Sequence, residues 1–184
     1  MTRNEERGSL CVEMGISNAS AVRRDSLPPG VTRVGGAPEY VVATWRNVMI
    51  QHVSGEVDLG FLKASLAGHH AALSHTPSGY GVITLVEPSA RIPGADVRDE
   101  AGRLRMKTQH MLRAHTVLIG SEGFFASTMR AVITGIVTVA QSRVPMKMAG
   151  NELEAASFIV DRVCAIGTDP RELAETLTSI RAAN

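Results

Sequence analysis

Residues 40–58 read YVVATWRNVMIQHVSGEVD, and the fold turns on them. Two runs rich in valine, isoleucine and aromatic residues, 40–45 and 48–53, flank the dipeptide Arg46-Asn47. That is the pattern of two β-strands joined by a tight turn, with Asn47 the residue suited to positive φ. Gly55 ends the second strand. Asp58 is placed to cap a helix, because a carboxylate just before an apolar periodic run accepts the free amide hydrogens of the first turn. Leu59, Leu62, Leu66 and Leu73 then share one helical face.

Downstream, strand and helix patterns alternate. Residues 82–86 form a short apolar run of strand type, and the loop from Pro88 to Gly94 leads to a helix capped by Asp96 with Val97, Ala101, Leu104 and Met111 inward. A strand at 116–119, an apolar helix at 124–141, a strand at 146–148 and a helix beginning at Asn151 follow. The order is ββαβαβαβα, which predicts an α/β fold: a mostly parallel sheet with an antiparallel N-terminal hairpin and helices packed on it. An extra C-terminal helix is signalled by Asp169 as cap, Pro170 in the first turn and Glu172 three residues after the cap, with Leu173, Leu177 and Ile180 as its apolar stripe.

The organisation expected is a disordered leader over 1–37, an α/β domain over 38–166 and the C-terminal helix over 167–184. The leader is rich in polar residues, carries the breakers Pro28, Pro29, Gly30, Gly35 and Gly36, and shows no sustained period, so it is expected to add nothing to the core.

Composition narrows the function classes. With a formal net charge of +1 there is no global basic character to suggest nucleic acid, and the two cysteines, Cys11 and Cys164, suggest neither a disulfide framework nor a metal site. The start of the chain lacks the apolar run of a secretory signal, so a cytoplasmic setting is expected. Residues 124–141, FFASTMRAVITGIVTVAQ, contain Arg130 and fall short of the roughly 20 apolar residues a bilayer needs. Their polar members Ser127, Arg130, Thr134, Thr138 and Gln141 trace one narrow stripe, which reads as a largely buried helix rather than a membrane span.

The element order, together with VSGEVD at 53–58 and its Gly55-Glu56-Val57-Asp58 step from strand to helix, resembles the STAS family of anti-sigma-factor-antagonist-like domains. The resemblance implies a regulatory, non-catalytic domain that binds a protein partner. In partner-switching members a serine or threonine within an Asp-Ser-x-Gly context is phosphorylated at the helix after the third strand. Here the equivalent loop is Glu87-Pro88-Ser89-Ala90-Arg91-Ile92-Pro93-Gly94-Ala95-Asp96, so this chain departs from the family at the switch.

No catalytic motif stands out. His69 and His70 diverge by about 100° on a helix and cannot present one metal face, so packed or interface histidines are the better reading. Ser121, in Gly120-Ser121-Glu122-Gly123, misses the spacing of a nucleophile elbow and reads as a turn or cap residue. No glycine-rich phosphate loop is present. The expectation is therefore a protein-interaction domain without cofactor or metal, binding neither nucleic acid nor membrane. Its partner surface would include Ser89, Arg91, Asp96, Arg98 and Arg105. Self-association to a homo-oligomer is expected through Phe125, Met129, Val132 and Ile136 on the wide apolar helix, unless the C-terminal helix covers that face. The alternatives are a lobe that binds a small molecule or lipid, and an enzyme with an unrecognised site.

Overall fold

The computed structural model describes residues 27–76, 78–164 and 168–183. In chain order they form β1 (Val31–Ala37), β2 (Tyr40–Trp45), β3 (Val48–Val53), α1 (Leu59–His75), β4 (Tyr80–Val86), α2 (Ala95–Thr108), β5 (Leu112–Ile119), α3 (Gly123–Val139), β6 (Met146–Ala149), α4 (Glu152–Val163) and α5 (Pro170–Ala183). The six strands lie in the sheet in their sequence order. β2 runs antiparallel to both its neighbours, β1 and β3, and β3, β4, β5 and β6 run parallel. This is the expected α/β architecture, with one further strand ahead of the hairpin.

The order dictates the layers. Parallel crossovers are right-handed, and the three here step in the same direction across the sheet, so α1, α2 and α3 land on one face. Phe61 and Leu62 of α1, Val97 of α2 and Met129 of α3 join Val42, Met49, Val53, Val82 and Val86 of the sheet in one core. On the opposite face, Ile159 and Val160 of α4 and Leu173, Leu177 and Ile180 of α5 pack against Val48, Ile50, Ile83, Leu85 and Leu118. Covered on both sides, β2 and β3 are buried at every position. The C-terminal helix is thus part of the domain core, and it lies across the sheet from α3, where it cannot cover that helix.

β1 corrects the expected leader. Residues 31–37 pair with β2 from Val31 opposite Trp45 to Ala37 opposite Tyr40, and Leu27 and Val31 pack against the second core. Gly35 looked like a breaker, yet it is a site of close approach: a Cβ there would sit 2.9 Å from the Cβ of Ala64 on α1. A register irregularity between Arg33 and Gly35 accompanies it. Residues 1–26 of the expected leader lie outside the described residues.

Local expectations were met unevenly. Asp58 caps α1, its carboxylate accepting from the Phe61 amide at 2.8 Å, and Asp169 accepts from the Arg171 amide at 2.9 Å. In the β2–β3 turn, however, Arg46 takes the positive φ of 50°, while Asn47 is buried and donates its side-chain amide to the Val163 carbonyl. Asp96 does not cap α2; Gly94 holds that position and Asp96 lies exposed in the first turn. The leucine stripe of α1 is met in part: Leu62 is buried and Leu73 packs on the core, Leu59 is 50% exposed, and Phe61, Ser65 and His69 are buried beside them. Gly68 allows a close approach there: a Cβ would meet Met49 Sδ at 2.6 Å and Val42 Cγ1 at 2.7 Å.

A variant lacking residues 1–37 is expected to melt at least about 5 °C below one lacking residues 1–26, because it exposes the edge of β2 and removes the packing of Leu27 and Val31; roughly 2–4 °C per kcal/mol applies at this chain length. Equal thermal midpoints would contradict the placement of β1.

Candidate binding site

Between the sheet and the layer of α1, α2 and α3 lies a cavity of ≈ 170 Å³. Its walls are apolar, with Phe61 and Leu62 from α1, Leu104 from α2, and Met129, Ile133 and Ile136 from α3. Arg91 and Pro93 of the β4–α2 loop border it too, and the largely exposed Arg91 marks an end at which it reaches solvent.

The floor is polar, although it is built on strands. Gln51 of β3 and Thr84 of β4 stand directly opposite each other, and both border the cavity with His115 of β5 and Arg105 of α2. Arginine only donates, which fixes the direction of the whole chain of hydrogen bonds. Arg105 Nη1 lies 3.2 Å from His115 Nδ1, which must therefore accept. The ring proton of His115 is then on Nε2 and points to Thr84 Oγ1 at 3.1 Å. Thr84 in turn donates to Gln51 Oε1 at 2.8 Å, and Gln51 Nε2 donates to Ser65 Oγ at 2.9 Å. Arg105 Nε donates to Ser142 Oγ at 3.0 Å. A second pair, His69 Nδ1 and Tyr80 Oη at 2.5 Å, sits beside the row.

One donor is left over. Three buried side-chain polar atoms lack a hydrogen-bond partner among the described residues, namely His52 Nδ1, Ser121 Oγ and Arg105 Nη2, and of these residues only Arg105 borders the cavity. Arg105 is 9% exposed, and no Asp or Glu among the described residues lines the cavity. Burial pulls its guanidinium down to about 10, so it still carries its charge at neutral pH. Burial, and secondarily the charge of Arg105, hold His115 down at about 3 and His69 at about 4, so both rings are neutral. The cavity therefore contains one deeply buried positive charge, with no carboxylate among the described residues to balance it.

No protein-family model matches this chain, and no curated protein matches it in sequence. The site has to be read from its own geometry.

The opposite face supplies a contrast. Arg181 of α5 donates to both carboxylate oxygens of Glu87, at 2.6 and 2.9 Å, and to Glu152 of α4 at 2.5 Å. Although burial works to raise Glu87, the hydrogen bonds and charge of Arg181 outweigh it and hold the carboxyl below its usual value. The same cluster reaches His52, 3.2 Å from Glu87, and it clamps α4 and α5 to the end of the sheet. Partly buried arginine is thus matched there by two carboxylates.

The residues proposed from sequence divide accordingly. Ser89 donates to the Ser54 carbonyl at 2.6 Å, Arg91 lies exposed with Glu56 at 3.6 Å, Asp96 is exposed, and Arg98 donates to the Pro93 carbonyl at 2.8 Å. These four cluster around the β4–α2 loop. Arg105 does not belong with them: it turns inward to the sheet, because positions 97, 101, 104, 105 and 108 are the side of α2 that faces the core. Of the proposed self-association residues, Met129 is buried, while Phe125, Val132 and Ile136 are partly buried, and Val132 and Ile136 also line an outer groove between α2 and α3. Met129 is 5% exposed, Phe125 packs on the core, and Met129, Val132 and Ile136 border the cavity; Phe124 and Val139 are the large apolar residues that α3 leaves exposed. Among the described residues no cluster of metal-ligating side chains occurs and no helix is long and apolar enough to cross a membrane.

Gln51, Thr84 and His115 had not been singled out. A glutamine and a threonine in the middle of otherwise apolar strands are the signal that could have found the first two; His115 was hidden because β5 begins four residues before the expected 116.

Acid should act on this site through its histidines. Between their folded values and the ordinary value of 6.5 the unfolded chain binds protons that the folded chain does not, so stability falls as pH drops below about 6.5. His115→Gln should lessen that loss by roughly 1.4 kcal/mol per pH unit between pH 6 and 4.5 in denaturant titrations. An unchanged slope would show that His115 is not held neutral.

Proposed function

We propose that this chain is a non-catalytic, ligand-binding regulatory domain, in which the cavity under α1, α2 and α3 takes a small organic molecule. The observation that carries the reading is the pairing of apolar walls with a floor of ordered polar groups, one of which, Arg105, keeps an unused donor. Sites for small molecules have this composition: mostly hydrophobic lining with a few placed polar groups that set orientation. The polar groups of the floor are engaged with one another, and none is arranged as a nucleophile with its base, which favours binding over chemistry.

The element order and the 53–58 corner still resemble the STAS family, whose members act by binding proteins. Arg91 and Pro93 connect the two ideas, for they belong to the loop that would meet a partner and they also border the cavity. A ligand in the cavity would touch the underside of that loop, so occupancy would be reported at the partner surface. The departure from Asp-Ser-x-Gly fits a domain governed by a small molecule in place of phosphorylation.

Methyl-resolved NMR with a neutral probe tests this directly. On titration with benzyl alcohol, the methyl signals of Val132, Ile133 and Val86 should move together and saturate, while those of Leu173, Leu177 and Ile180 on the far face stay still. Shifts that never saturate, or that spread equally over both faces, would refute a specific cavity site.

A further inference from the structure

The charge at the site narrows what its ligand is. Arg105 is nine-tenths buried, makes no ion pair among the described residues, and has one nitrogen with no acceptor. An isolated buried cation is expensive, and a guanidinium is satisfied only by acceptors, so the missing component is an acceptor that also carries negative charge. His115 cannot provide it, since its one lone pair is already taken by Arg105 Nη1 and its other nitrogen donates to Thr84.

Magnitude of charge and size follow from the same surroundings. Arg105 supplies a single positive charge, the neighbouring His69 and His115 are neutral, and Arg91 at the rim is exposed and lies near Glu56. A dianion such as a phosphate monoester would leave one charge unbalanced among Leu62, Leu104, Met129 and Ile133. A carboxylate balances the guanidinium one to one and matches its planar fork. A cavity of about 150 Å³ holds a benzene ring, and the ≈ 170 Å³ here has room for little more than one ring or a short alkyl chain with its carboxylate.

We infer that the cavity is a site for a small monocarboxylate, aryl or short-chain alkyl and of about benzoate size, ion-paired to Arg105 with its hydrocarbon part among the α1 and α3 side chains. This rests on the cavity being a ligand site, as proposed above, and it adds the chemical class.

Calorimetric titration of the full chain with benzoate and with benzyl alcohol, matched in size and different in charge, separates the two claims. Wild-type protein should bind benzoate about tenfold or more tightly than the alcohol, a difference of about 1.4 kcal/mol or more. Arg105→Met should bring the ratio to about one while retaining the alcohol, which also shows that the variant folds; Arg105→Lys, keeping the charge without the fork, should fall between. If benzyl alcohol binds and benzoate binds no better, the carboxylate inference is overturned and the cavity reading stands. Binding of neither overturns both. A benzoate preference that survives in Arg105→Met would assign the anion to some other group and likewise overturn the inference.

Discussion

The candidate site follows from β3 and β4 being covered on both faces. Three parallel crossovers stepping one way place α1, α2 and α3 over one side, and the chain then returns α4 and α5 over the other. Any polar side chain on those strands must find its partners within the protein. Gln51 and Thr84 do so by facing each other across the β3–β4 ladder, and the requirement passes outward to Ser65 on one side and to His115 and Arg105 on the other. The row is satisfied up to its last member. Because arginine has no acceptor, the polarity of the whole row is set from Arg105, and the unsatisfied remainder is left on Arg105 as well.

Arg105, buried, and Arg181, partly buried, show that an unpaired guanidinium is not this protein's general habit. Arg181 ties α5 to Glu87 and Glu152, and it serves as a fastener between the helical layer and the strand ends. Arg105 is more deeply placed and has hydroxyl and imidazole partners only. A buried charge without a counter-charge costs several kcal/mol, more than its neutral hydrogen bonds return. Such a residue lowers stability, and the cavity lies directly beside it. The ordinary place for a ligand in an open parallel sheet, a crevice where the strand order reverses, does not exist in a sheet whose order never reverses. The cavity described here lies instead between the sheet and the helices.

The sequence disclosed element order well because the strands and helices differ in period and because Asp58, Asn151 and Asp169 mark helix starts in the usual way. It concealed β1 because Gly35 and Gly36 read as breakers, when Gly35 is needed for the contact with Ala64. The α1 face was legible in part: Leu62 and Leu73 face the core as expected, but the close approach of the helix to Val42 and Met49 at Gly68 leaves no hydrophobic signal. At the site, Arg105 was noticed for its charge and given to the surface. Arg98, Arg103 and Lys107 share its helix, and only the rotation of α2 about its axis distinguishes the inward one. Thr84 and Gln51 were legible in principle as polar residues in buried strands. Their joining to His115 depends on sheet register, which one sequence does not specify.

The inferred role of Arg105 is to form an ion pair with a bound carboxylate. A crystal structure of the protein grown with benzoate tests it most directly. The account predicts a carboxylate oxygen within hydrogen-bond distance of Arg105 Nη2, with the ring between Phe61, Met129 and Ile133 and the Gln51–Thr84–His115 row unchanged. An Arg105 paired instead to a carboxylate of the protein itself, with the cavity closed or filled by side chains, would contradict it.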